Sequence, residues 1–168
     1  DTDTSNVIRM SQTFCGCSSL RTLDLHTWDT FNVTNMEEMF RGCSALTDLD
    51  LGGSFVTFDS IKTDMLTGLS SLQRLHVSKD VNADISNLFL SMPDPEKLPN
   101  VKKDGSIGLF RDGDGNDYLS TGAMQTTAER TYAVVYTVSI DPAGGFLGTP
   151  SSTDVLLQEV RYNDTVTL

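Results

Sequence analysis

The chain reads as an α/β solenoid: a stack of units, each a short helix followed by a short strand, with the strands in a parallel sheet and a small β-rich C-terminal module closing the stack. Three observations predict this class. They are an internal repeat of 26 residues, a change of apolar spacing halfway through each copy, and a change of composition after the copies end. With 168 residues, 38% hydrophobic and 21% charged, the chain has enough apolar material for a core.

Shifting residues 3–28 by 26 positions lays them on residues 29–54 with thirteen identities. Asp3, Thr4, Asn6, Val7, Met10, Phe14, Gly16, Cys17, Ser18, Leu20, Leu23, Asp24 and Leu25 fall on Asp29, Thr30, Asn32, Val33, Met36, Phe40, Gly42, Cys43, Ser44, Leu46, Leu49, Asp50 and Leu51. A second shift carries the latter half onto Gly68, Leu69, Leu72, Leu75 and Val77, while the first half of that third copy, around FVTFDSIKTDML, is degraded. Within a copy, Val7, Met10 and Phe14 (and Val33, Met36 and Phe40) stand at i, i+3, i+7, the spacing of one helical face. Leu20-x-x-Leu23-x-Leu25 and Leu46-x-x-Leu49-x-Leu51 end in the alternation of a strand with one buried face. A unit this small cannot bury its apolar stripe alone, so the copies are expected to stack.

All five prolines follow residue 92, at Pro93, Pro95, Pro99, Pro142 and Pro150, and MPDPEKLPNVKK marks a boundary. The expected organisation is a solenoid of about three copies over 1–80, a capping segment with a hairpin over 81–131, and a β-rich module over 132–168. IGLFRDGDGNDYLS supplies the hairpin, two apolar pieces around a polar turn. YAVVYTVSI is a strand in which Tyr132, Val134, Tyr136, Val138 and Ile140 share a face, followed by a DPAGG turn and a further turn at Asn163 and Asp164.

The L-x-x-L-x-L core resembles that of leucine-rich repeats, and DTSNV-x-x-M-x-x-x-F-x-GCSSL-x-x-LDL resembles the BspA-like repeats of bacterial surface proteins. The likeness covers residues 3–51 closely and 52–80 more weakly, and the segment after it resembles the tails that close BspA-like arrays. YTVSIDPAGG with VRYNDTVTL is similar to the first half of a Listeria-Bacteroides repeat, the small module found beside leucine-rich repeats in internalins. The resemblance implies a leucine-rich-repeat solenoid at the cell surface or secreted, with adhesion to an extracellular or host protein as its role.

With 23 acidic against 12 basic side chains, the formal net charge is -11, which opposes binding to nucleic acid and to anionic lipid. No apolar run is long enough for direct membrane insertion, and no signal, lipid motif or wall-sorting tail is read between Asp1 and Leu168. No cofactor is expected. Asp112, Asp114, Asn116 and Asp117 imitate the opening of a calcium loop, but Asp117 stands where the glycine belongs and Ala123 where the closing glutamate belongs, so no metal is expected. Cys17 and Cys43 share a column that ends in Leu69, which suggests buried packing. One repeat step of about 4.8 Å also lies within disulfide reach, although side-by-side Cβ vectors oppose a bridge.

Only two histidines exist, and His76 lies in the column of Asp24 and Asp50, a ladder expected to face solvent. No serine has a nucleophile-elbow context, so no catalytic residue is expected and the reading is non-enzymatic. The candidate protein-binding residues are those expected on the outward strand face: Arg21, Thr22, Asp24, Thr47, Asp48, Asp50, Gln73, Arg74 and His76. The alternative is a passive spacer or stalk segment of a larger surface protein.

Overall fold

A computed structural model of the chain describes residues 2–91, 109–140 and 156–161, with the side chains of residues 109, 136–140 and 156–161 left aside. The proline-rich boundary at 92–100, the DPAGG turn, the turn at Asn163 and Asp164, and the shared face at Tyr136, Val138 and Ile140 therefore lie outside the described residues or side chains. Three short strands, β1 (Thr22–Asp24), β2 (Asp48–Leu51) and β3 (Arg74–Val77), come from the latter halves of the three copies. They pair in parallel at a constant offset of 26, with Leu23 beside Leu49 and Leu49 beside Leu75. After them come α1 (Lys79–Ala83), β4 (Leu109–Asp112), β5 (Asp117–Tyr118), α2 (Thr121–Met124), β6 (Arg130–Ile140) and β7 (Leu156–Arg161).

The expected fold class is overturned. The chain is not a helix-strand leucine-rich-repeat solenoid: it forms one mixed sheet of seven strands in the order β1-β2-β3-β6-β4-β5, with β7 also on β6. The sheet is parallel only over β1–β3, because β6 lies antiparallel to β3, β4 and β7, and β4 antiparallel to β5. Among the described residues, helix is confined to α1, α2 and a 3-10 turn at Ile85–Asn87, so no copy holds a helix in its first half.

The reason lies in where the backbone N–H groups go. In the first copy Thr13, Cys15 and Cys17 close turns onto the carbonyls of Met10, Gln12 and Phe14, while the intervening N–H groups of Gln12, Phe14 and Gly16 donate across to Glu37, Met39 and Arg41 of the next copy. Glu38, Phe40 and Gly42 repeat this onto Thr63, Met65 and Thr67. The alternation needs a left-handed residue every fourth position, and Gln12, Gly16, Glu38, Gly42, Asp64 and Gly68 all have positive φ. A helix would send each N–H to the carbonyl four residues back and excludes such residues. Apolar side chains at i, i+3, i+7 are thus buried by a run of turns bonded sideways between copies. The degraded third copy keeps that backbone, since the Thr63, Met65 and Thr67 carbonyls accept in register.

Inward residues of the sheet form a continuous apolar layer: Leu49, Leu51, Leu75, Val77 and Tyr132 are fully buried, with Met36, Phe40, Leu46, Met65 and Leu66 behind them. Phe14 stacks on Phe40 at 5.6 Å between ring centroids. The C-terminal end is closed by α1 and β6. Ser78 caps α1, its Oγ accepting from the Val81 N–H at 3.2 Å and donating to the Phe55 carbonyl at 2.5 Å. Tyr132 reaches under the cap, its hydroxyl donating to Asn82 Oδ1 at 2.8 Å with the Met124 carbonyl 2.9 Å away, and Asn82 Nδ2 donates to Ala128.

Candidate functional site

Side chains alternate across a strand, so burying Leu23, Leu49 and Leu75 turns their neighbours to the outer face. Two rows result. One runs Thr22, Asp48, Arg74, Ala133, Arg111, Asp117 across six strands, and the other runs Asp24, Asp50, His76, Thr131 across four. Six of the nine sequence-derived candidates, Thr22, Asp24, Asp48, Asp50, Arg74 and His76, fall in these rows. Arg21, Thr47 and Gln73 stand one residue ahead of the strands, where the Arg21 carbonyl accepts from the N–H groups of Thr47 and Asp48, and the Thr47 carbonyl from those of Gln73 and Arg74.

The rows are electrostatically paired. Arg74 donates to Asp48 at 2.7 Å and lies 3.9 Å from Asp50, and Arg111 holds Asp117 with two hydrogen bonds. Asp24 accepts from the backbone N–H of His26, which holds its carboxyl below the usual range, and its side chain meets His26 Nδ1 at 2.6 Å, which raises the imidazole pKa. His76 bridges β3 to the residue before β6, its Nε2 at 2.9 Å from Glu129 Oε1 and its Nδ1 at 2.7 Å from Thr131 Oγ1. The His76 contact in turn lowers the Glu129 pKa. Position 52 must be glycine for this bridge, because a Cβ there would lie 2.5 Å from His76 Cδ2.

Thr131, His76 and Glu129 have the connectivity of nucleophile, base and carboxylate. Two backbone donors beside His76 and Glu129, the N–H groups of Gly52 and Gly53, are engaged by Asp50 at 3.0 Å and by Glu129 at 3.4 Å.

The calcium-like segment is an internal brace. Asp112 is buried, and its carboxylate accepts from the N–H groups of Asp114 and Asn116, the Asn116 amide, the Tyr118 hydroxyl at 2.7 Å and Arg130 at 2.6 Å. Burial by itself pushes its pKa up, and the bonds from Asn116, Tyr118 and Asp114 outweigh that and hold the carboxyl well below the usual carboxylate range. Burial and the same carboxylate push the Tyr118 hydroxyl up to about 12. Among the described residues no group of three or more His, Cys, Asp or Glu could hold a metal ion. The three cysteines are free thiols; Cys43 is buried and donates to the Phe14 carbonyl, whereas Cys17, expected to be buried with it, is exposed.

Glu129, Thr131, Arg111, Asp117 and His26 join the outer face without having been placed there by the sequence, Asp117 having been read only as part of the calcium-like segment. His26 could have been found from its place two residues after Asp24. The others depend on the antiparallel register of β6, more than fifty residues from β3, which no periodicity encodes.

Residues 1–74 are similar to a bacterial family described as "Mycoplasma protein of unknown function, DUF285", a match that spans β1 and β2 and ends on the first residue of β3. No curated protein and no solved structure matches the chain.

Proposed function

We propose that the chain is a non-enzymatic interaction module of a bacterial cell-surface or secreted protein that engages an extracellular or host protein through the outer face of β1–β3. The observation that carries the reading is the pair of polar rows on a backbone fixed by hydrogen bonds on both sides of the core. Such a face presents Asp24, Asp50, Arg74 and His76 at spacings set by strand pairing, so a partner meets preorganised groups and orders few side chains on binding. The resemblance of residues 3–51 to BspA-like repeats supports adhesion, and engagement of the Gly52 and Gly53 N–H groups argues against catalysis.

A second reading, a passive spacer, is favoured by one specific observation: Asp48, Asp24 and Glu129 are already partnered by Arg74, His26 and His76 within the chain. Binding of the purified chain to a panel of immobilised extracellular-matrix and host proteins separates the two. If the face binds, the triple variant Asp24→Lys, Asp48→Lys, Asp50→Lys loses at least tenfold in affinity for whichever protein is retained. Equal retention of wild type and variant removes the face, and retention of neither supports the spacer.

A further inference from the structure

Each copy opens on a turn marked by a buried threonine: Thr4, Thr30 and Thr57. The residue after it points outward and differs from copy to copy, being Ser5, Phe31 and Phe58. Phe31 is 68% exposed and Phe58 45% exposed, and their rings meet edge to face at 6.0 Å between centroids. Because Ser5 serves the first turn, the fold does not need an aromatic ring at this place. Ile61, 54% exposed and bridged to Asn35, adds a further apolar side chain to the third turn. Single apolar residues scattered on a surface need no explanation, whereas two exposed rings in contact, at a place a serine also fills, mark a surface that meets something.

The rings sit on turns that are pinned to each other. The Thr30 hydroxyl donates to the Val56 carbonyl at 2.8 Å and accepts from the Val56 N–H at 2.7 Å. Asn32 Nδ2 donates to the Ser5 carbonyl at 2.7 Å, and the Thr57 carbonyl accepts from Ser60 Oγ at 2.8 Å and from Lys62 Nζ at 2.7 Å. The charge around the rings has one sign. Asp29 stands two residues before Phe31 and accepts from its N–H at 3.0 Å, and Asp59 follows Phe58 with a carboxylate that makes no hydrogen bond or ion pair among the described residues. Lys62, the one cation within residues 29–36 and 55–62, is held by Asp84 at 2.5 Å. The patch is therefore a fixed pair of rings beside two carboxylates with no cation of their own.

We infer that Phe31 and Phe58, with Asp29 and Asp59, form a docking surface for a basic amphipathic segment of another protein. Its apolar side chains cover the two rings, and its lysines or arginines reach the carboxylates or lie over a ring face. Charge complementarity selects this occupant over the others. A second copy of the chain would set Asp29 and Asp59 against their own equivalents in a molecule of net charge -11, and the same charge opposes an anionic bilayer. The surface comes from the first halves of the second and third copies, whereas the outer face proposed above comes from the latter halves, so neither reading rests on the other.

The probe is a fluorescein-labelled amphipathic helix of leucine and lysine, titrated with the full chain at about 0.15 M salt and followed by anisotropy. Replacing both rings by the residue of the first turn, Phe31→Ser with Phe58→Ser, should weaken binding about tenfold or more while leaving the urea midpoint within error of the parent. Asp29→Asn with Asp59→Asn keeps the acceptor of the turn and should cost about fivefold, whereas the charge-matched pair Asp24→Asn with Asp48→Asn on the outer face should cost less than about twofold. A probe with glutamate in place of every lysine should not bind. Absence of binding by the parent chain, or equal binding by the parent and the double serine variant, overturns the inference, as does an equal loss from the two aspartate pairs. Sedimentation of the parent as a dimer that the serine variant dissolves would assign the rings to a second copy, and retention on phosphatidylcholine vesicles lost in that variant would assign them to a membrane; either result also overturns it.

Discussion

Asp112 shows how much of this fold depends on single polar side chains. Its carboxylate collects donors from Asp114, Asn116, Tyr118 and Arg130 in a buried position, so the ionised form belongs to the folded state. Because its folded pKa is depressed, the stability it contributes is present above the unfolded carboxylate range and is lost as pH falls through and below that range. Asp112→Asn keeps the size and removes the charge facing Arg130, which is expected to destabilise by about 3 kcal/mol or more, as breaking a buried pair does. Urea unfolding at pH 7 and at about pH 2.5 checks both points: the variant should start lower and lose less on acidification. Tyr118 behaves in the opposite sense. With its pKa pushed up to about 12, its contribution is complete below pH 10 and is lost as pH rises through the folded value. The acidic run 112–117 was visible in the sequence. Its use was not, because the partner Arg130 comes from another strand.

At the scale of the element, the strands were legible and the helices were misread, for one reason. Leu23-x-Leu25 and Leu49-x-Leu51 alternate with period two, and only a strand buries such a set on one side. Val7, Met10 and Phe14 fit a helical face, but they fit equally a chain of turns whose N–H groups alternate between the own copy and the next. The deciding residues are the left-handed ones. Gly16, Gly42 and Gly68 recur at the repeat distance, and Gln12, Glu38 and Asp64 recur with them without sharing a residue type. Gly42→Ala discriminates between the two structures. In a helix it would stabilise by about 1 kcal/mol, whereas at φ 75° it should destabilise by roughly 1–2 kcal/mol in equilibrium denaturation. The degraded third copy makes the same point from the other side. Lys62 takes the column of Met10 and Met36, pairing with Asp84 at 2.5 Å, and the backbone register survives the change.

For the whole molecule, depth in the stack sets the energetic weight of equivalent residues. Leu49 is paired with both Leu23 and Leu75 and is fully buried, while Leu23 is only partly buried. Leu49→Ala should therefore cost about 2–5 kcal/mol, and Leu23→Ala, at the same place in the repeat, roughly half as much or less in urea denaturation. The repeat predicted that copies would lie in register, and it could not predict that a strand more than fifty residues away would turn the sheet from parallel to antiparallel and bring Glu129 and Thr131 to His76. That late strand also fixes the candidate face, because Ala133 joins Arg74 to Arg111 in one row.

Sideways bonding between copies is what distinguishes this architecture from stacked helices, and scalar couplings transmitted through hydrogen bonds report it directly by NMR. A coupling from the Phe40 amide nitrogen to the Met65 carbonyl carbon, and from Phe14 to Met39, is the expected result. Couplings from Phe40 to Met36, and from Phe14 to Met10, would mean that each copy closes on itself as a helix, which contradicts a stack held together by bonds between copies.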